Sequence, residues 1–425
     1  MSATPPAPGP GAPTRSLDDL ALDGSMLALS FGAALNLSTG QIAIVLVGLA
    51  LLLRLVRNPH ALAPHARTLG PALAAPVAFI LLCLLSSVTT PVAWPGSFDA
   101  TRWRPLVGIP LGALALMVRG PGLAIRCALV FAVGCAVHAG IGLYQVATGE
   151  APLADLLRVP LDKRQVPAPG REDLFSAVGL FYNRVRLSHV LAAGVAVSTG
   201  MLLVRSRARV LLVASGLLGF AGLMATFGRA ALGALMMTLA GLAVWLALRG
   251  DPARRARRLR LAGVGIAVML LAVAAVPPAR ARLLTALDVG HNQDRIFLWG
   301  RGAEMAMDHA PTGTGFGGYA VVRDAYYDRI NDTIQSRTMS HNLLLSLLAE
   351  TGVLGLMAWL WMWWALFRQV MSTRGTVAIS GLLGAATFHA ATLAHDPLYQ
   401  SECALAWGFC AILMCAPPED STPRQ

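Results

Sequence analysis

Residues 187–249 read LSHVLAAGVAVSTGMLLVRSRARVLLVASGLLGFAGLMATFGRAALGALMMTLAGLAVWLALR. Three apolar runs, 187–204, 208–227 and 230–248, each approach the length a helix needs to cross about 30 Å of hydrocarbon. Arg205, Arg207 and Arg209 separate the first two, a short turn holding Arg229 separates the next, and Arg249 closes the third. Working outward, the same alternation gives further runs at 25–38, 41–56, 71–91, 104–118, 122–146, 261–278, 353–371, 376–394 and 400–416. The 425 residues are 56% hydrophobic and 13% charged, with a mean hydropathy of +0.61. No soluble core of this length hides so much apolar surface, so the bilayer is the solvent for most of the chain. The expectation is an all-α polytopic membrane protein with about twelve transmembrane helices.

An even number of spans puts both termini on one side, and arginine chooses the side. The loops after the second, fourth, sixth, eighth and tenth runs carry Arg54, Arg57 and Arg67; Arg119; Arg205, Arg207 and Arg209; Arg249 to Arg260; and Arg368 and Arg374. Asp251 is their one acid, so these loops are expected in the cytoplasm. The alternate loops 147–186 and 279–352 are long and mixed in charge, and residues 279–340 hold seven arginines against seven Asp or Glu. Balanced charge with Gly, Pro and Tyr points to folded, ligand-facing structure outside the membrane. The net charge of +12 therefore reads as a positive-inside signature and not as a nucleic-acid face.

Residues 1–24, rich in Pro, Ala and Gly, read as a disordered cytoplasmic tail, 25–416 as the membrane domain and 417–425 as a cytoplasmic C-terminal tail. Cys83, Cys127, Cys135, Cys403, Cys410 and Cys415 lie in or beside apolar runs without ligand spacing, and read as small buried hydrophobes.

Chemistry concentrates in Ser340-His341-Asn342, nine residues, then Gly352-Val353-Leu354-Gly355. With Ser340 as N-cap, His341 is expected in the first helical turn, where the partial positive charge disfavours imidazolium and keeps a neutral base. Arg229 stands in Phe227-Gly228-Arg229-Ala230-Ala231-Leu232, in an outer turn too short to follow the positive-inside trend. Arg295 lies in Asp294-Arg295-Ile296-Phe297-Leu298-Trp299, before Pro311-Thr312-Gly313-Thr314-Gly315. That run is no phosphate-binding P-loop, because no Gly-Lys-Ser/Thr ends it. The alternatives are an interfacial anchor for Arg229 and a salt bridge to Asp294 or Asp308 for Arg295.

Asn183, Arg184 and Arg186, just before the sixth run, are candidates for a lipid-linked phosphate, and Asn342 beside the histidine for substrate. Asp396, in an outer Asp-Pro turn, is a candidate for orienting a base or an arginine. Ionisable residues at depth, Arg126, His138, His189, His389 and Glu402, look scattered and form no relay. No Asp-x-Asp, His-Glu-x-x-His or Cys/His cluster calls for a metal.

The His-Asn-x9-Gly-x-x-Gly pattern, with Arg229, Arg295 and the Pro-x-Gly-x-Gly run, resembles the O-antigen ligase and polymerase family over about residues 25–416, most strongly 170–400. The family's ligases usually place leucine four residues after the arginine, where this chain has Gly233. The resemblance implies a GT-C-like membrane glycosyltransferase fold with a large, partly helical periplasmic loop. It implies a multi-pass protein of the bacterial inner membrane with its active site facing the periplasm. The activity implied is transfer of O-antigen from undecaprenyl diphosphate to a sugar hydroxyl of lipid A-core, without cofactor or metal. On this reading His341 takes the acceptor proton and Arg229 and Arg295 stabilise the leaving diphosphate. The partners implied are the two lipid-linked glycans and membrane lipids, with no nucleic acid. An O-antigen polymerase, an O-linked protein oligosaccharyltransferase and, from another class, a transporter are the competing readings.

Overall fold

The computed structural model describes residues 16–90, 100–150, 167–168, 171–203, 208–248, 252–284, 292–327 and 339–419. Expectations for residues 1–15 and 420–425, and for parts of the loops 147–186 and 279–352, fall outside these.

The helices are α1 (Leu17–Leu35), α2 (Leu37–Arg57), α3 (Ala63–Leu69), α4 (Pro71–Thr89), α5 (Ala100–Arg119), α6 (Pro121–Thr148), α7 (Arg184–Met201), α8 (Arg209–Ala225) and α9 (Arg229–Leu248). They continue as α10 (Pro252–Ala275), α11 (Pro277–Leu284), α12 (Gln293–Asp308), α13 (Tyr319–Tyr327), α14 (Leu343–Thr373), α15 (Thr376–Ala391) and α16 (Ser401–Met414). Each of the twelve apolar runs falls on a helix. Five helices, α2, α4, α6, α9 and α14, are long and apolar enough to cross a membrane, while α8, α15 and α16 are apolar but shorter. Helix α1 has the length but carries Asp18, Asp19 and Asp23.

Large apolar side chains cover the outside as well as the inside: Leu52, Val56, Leu217, Met237, Leu271, Met357 and Trp364 are all exposed. Such a surface suits hydrocarbon. Helices approach each other over small residues, because apolar burial supplies little drive between helices already in lipid. Gly194 sits against Cys135, Gly384 against Cys410, and Gly32 against the backbone of Gly40. All six cysteines are buried free thiols, as their apolar surroundings suggest.

Two boundaries differ from expectation. Helix α1 begins at Leu17, within the stretch expected to be a disordered tail, because the Ser16 side chain accepts from the Asp19 N–H and the aspartates of the first turns find arginines. Arg54 reaches Asp19 at 3.0 Å, Arg119 reaches Asp23 at 2.7 Å, and Arg126 reaches Asp23 at 2.8 Å. At the other terminus, Glu419 accepts from the N–H groups of Thr376 and Val377 and so caps α15, which draws the start of the expected tail onto the bundle. The bundle is all-α as expected, and in the first long loop β1 (Pro167–Ala168) and β2 (Arg171–Phe175) add a short antiparallel hairpin. Pro167 has no N–H for a helical ladder but tolerates a strand edge.

Candidate functional site

The histidine motif and the glycine run are one structural unit. Helix α14 is broken at Gly352, which takes φ 64°, ψ −171°, a conformation open to glycine and closed to other residues. A side chain there would also collide with the Pro311 carbonyl, and one at Gly313 with the Glu350 carbonyl. The two backbones lie this close because the Thr314 N–H donates to the Ala349 carbonyl and the Gly315 N–H to the Glu350 carbonyl, both at 2.9 Å. Ser86 of α4 donates to the carbonyls of Thr312 and Glu350, at 2.6 and 2.8 Å. The buried Glu350 carboxylate accepts from the Tyr399 hydroxyl at 3.0 Å and the Tyr319 N–H at 3.3 Å. The short first arm of α14, 343–351, is thereby held at an angle to the long arm.

His341 lies one residue before the N-cap of that arm, not in its first turn. Asn342 is the N-cap, its side-chain oxygen accepting from the N–H groups of Leu344 and Leu345 at 3.1 and 3.2 Å. The Ser340 hydroxyl is engaged by Ser346 at 2.7 Å and by the Asn342 N–H at 3.1 Å, which leaves the cap to Asn342. His341 has φ 55°, a left-handed conformation uncommon outside glycine and met with at functional sites. It stays neutral through a cause other than the expected helix dipole: burial first, then the charge of Arg295, pull its imidazole down to about 4.

Arg229 opens α9 after a tight turn in which Phe227 takes φ 54°. Gly228 lets that turn rest on Ser188 of α7. Arg184 opens α7 and donates to the Thr226 carbonyl at 3.3 Å. The two turns and α12 enclose a cavity of about 80 Å³ lined by Arg184, Arg229, Arg295, Ser188, His189 and His395, among others. Candidates 45 and 66 residues apart in sequence thus meet on one small volume, and no carboxylate is among the described residues that line it. The ring of His341 lies beside that of His395, with centroids 5.0 Å apart, and His395 lies 5.3 Å from His189.

The remaining candidates are placed differently. Arg186 does not line the cavity; it donates to Glu402 at 2.6 Å and lies over the Tyr182 ring. Asn183 caps α7, its side-chain oxygen accepting from the N–H groups of Val185 and Arg186. Asp396 is buried and accepts from the Ser346 hydroxyl at 3.3 Å, one step from Ser340 and the histidine loop.

The ionisable residues that look scattered in sequence are partnered in space. Arg126 meets Asp23, and Glu402 meets Arg186. His138 contacts the Ala34 carbonyl through Nδ1 and accepts the Leu180 N–H at Nε2, each at 2.8 Å. His389 lies among Trp359, Trp363 and Trp407. His189 joins the site, which sequence reasoning missed. It stands within an unbroken apolar run 206 positions from His395, and nothing local marks the pairing. Among the described residues no three His, Cys, Asp or Glu side chains are arranged to hold a metal ion.

Fold and site together define a multi-span, helical membrane protein with an arginine-rich cavity flanked by neutral imidazoles. Residues 214–360 match the family model described as O-antigen ligase, and the chain thus carries a domain of the O-antigen ligase family. The matched stretch takes in Arg229, Arg295, the glycine run and the whole His341 to Gly355 motif, and leaves Arg184 and His395 outside. The family supports an enzyme of ligase or polymerase type acting on lipid-linked glycans. No curated protein matches the chain.

Proposed function

We propose that this protein is an O-antigen ligase of the bacterial inner membrane, with twelve spans, both termini in the cytoplasm and the cavity at the periplasmic face. It moves a glycan from undecaprenyl diphosphate to a sugar hydroxyl of lipid A-core. The observation that carries the reading is the convergence of Arg184, Arg229 and Arg295 on one cavity with His341 alongside. Departure of a lipid diphosphate develops charge on phosphate oxygens, and guanidinium groups stabilise it without a metal. His341, neutral at pH 7, removes the acceptor proton as its oxygen attacks the anomeric carbon in line, with inversion. Asp396 holds the loop through Ser346, and Asn342 fixes its geometry by capping α14.

An apolar cavity of about 570 Å³ between α9, α14 and α15, lined by Leu242, Trp245, Trp363, Phe367, Leu383 and others, supports a lipid donor. Its α9 residues begin nine positions beyond Arg229, about 14 Å along the helix axis, a distance that suits a polyprenyl tail whose diphosphate rests on the arginines.

A lipopolysaccharide gel from a deletion strain tests the function. Loss of the long-chain ladder with lipid-linked polymer accumulating is the expected result. A single-repeat band instead identifies the polymerase reading, which the strict His-Asn-x9-Gly-x-x-Gly form disfavours. The orientation is tested by Ala325→Cys, an exposed position in α13. Labelling by an impermeant reagent in intact spheroplasts is expected, and labelling only after lysis would place the site on the other side.

A further inference from the structure

The proposed chemistry leaves His395 unused, although its ring lines the arginine cavity and lies beside the rings of both His341 and His189. Its Nδ1 is enclosed and has no hydrogen-bond partner among the described residues. Burial, with His189, His341 and Arg295 as neighbours, holds this imidazole well below its usual value, so it is neutral. A neutral imidazole carries one proton. A buried N–H without an acceptor costs more than a buried lone pair, which places the proton on Nε2 and leaves Nδ1 bare. His395 is therefore a fixed, uncharged N–H donor on the wall of a cavity whose other polar groups are largely cationic.

We infer that His395 is a ligand of the donor's diphosphate, donating from Nε2 to a phosphate oxygen between the arginines, with His189 as the ring that holds it in place. The inference rests on the transferase reading above. The residue type follows from charge. A glycan-linked diphosphate carries two negative charges and the released lipid diphosphate up to three, so each added cation tightens product more than substrate and slows its release. A neutral donor holds both alike, adding grip and orientation without that penalty.

The test is equilibrium binding of undecaprenyl diphosphate to the purified full-length protein in lipid nanodiscs. His395→Phe, which keeps a ring and loses the donor, should bind about 10-fold more weakly, in line with loss of a hydrogen bond to a charged group. His395→Asn, which regains an N–H, should recover most of that affinity. In transfer assays kcat/KM for the donor should fall in His395→Phe with most of the loss in KM. His395→Arg should bind the free diphosphate more tightly and turn over more slowly. Should His395→Phe fail to fold, His395→Gln against His395→Met makes the same comparison of amide donor with apolar chain. Wild-type affinity in the apolar variants, or a loss confined to kcat, overturns the inference. Because binding is read without turnover, this failure is distinct from failure of the transferase reading, which would appear as a wild-type protein that transfers no glycan.

Discussion

Two arginine clusters stand at opposite ends of the bundle. Around the start of α1, Arg54, Arg57, Arg119 and Arg126 meet Asp18, Asp19 and Asp23 in a closed network, with Arg119 spanning two of the acids. Around the starts of α7 and α9, Arg184, Arg229 and Arg295 converge on a cavity whose described lining includes imidazoles and no carboxylate. The residue type is the same and the company differs. Guanidiniums that meet carboxylates fix helix ends, whereas guanidiniums that line a common cavity bring positive charge to a volume a ligand's negative charge can enter. Position along a sequence cannot separate the two cases, but what shares the volume can.

Substitutions sharpen this contrast, and the largest effect is expected beside the cavity. His341→Ala should lose roughly 100- to 10,000-fold in turnover while still binding donor, because removing a proton acceptor acts on the transition state. His341→Gln should be nearly as inactive, since it restores a hydrogen bond but no basicity. Next, Arg229→Ala and Arg295→Ala should each lose about 100- to 1,000-fold with the protein retained in the membrane, lysine rescuing in part. Full activity in both alanine variants would end the diphosphate assignment.

The closed network should respond in the opposite sense. Asp23→Ala leaves Arg126 without its acid and Arg119 with Asp19 alone, and should lower stability by about 1 kcal/mol, while activity per folded molecule stays near wild type. A thermal-shift assay paired with a transfer assay reads both. The smallest effect is expected at Arg186, which faces Glu402 and not the cavity. Arg186→Gln should reduce transfer less than about 10-fold, and a loss as large as that of Arg229→Ala would join the two arginine environments the structure separates.

The bundle was legible because apolar runs and arginine-rich loops are local signals: every run lies on a helix. The capping chemistry of Asn342 was less so, since Ser340 and Asn342 are both good N-caps and only the Ser340–Ser346 contact decides between them. Gly352 and Gly313 stood in separate motifs, yet their meaning is mutual, each being the space the other's strand of backbone needs. His189 and His395 were illegible as a pair for the same reason that Glu350 was overlooked. Their roles arise from packing between distant segments, which no spacing rule records.

The claim that binds this account is that a neutral histidine and a set of arginines, without metal, transfer a lipid-linked glycan. The direct measurement is the rate of transfer from undecaprenyl-diphosphate-linked glycan to lipid A-core by purified protein, in chelator, from pH 4 to 8. On the proposed mechanism protonation of His341 removes the base, and burial with the charge of Arg295 pulls its imidazole down to about 4, so the rate should be level from about pH 6 upward and fall only as pH drops toward 4. Abolition of transfer by the chelator, or a rate still rising through pH 7, would contradict it.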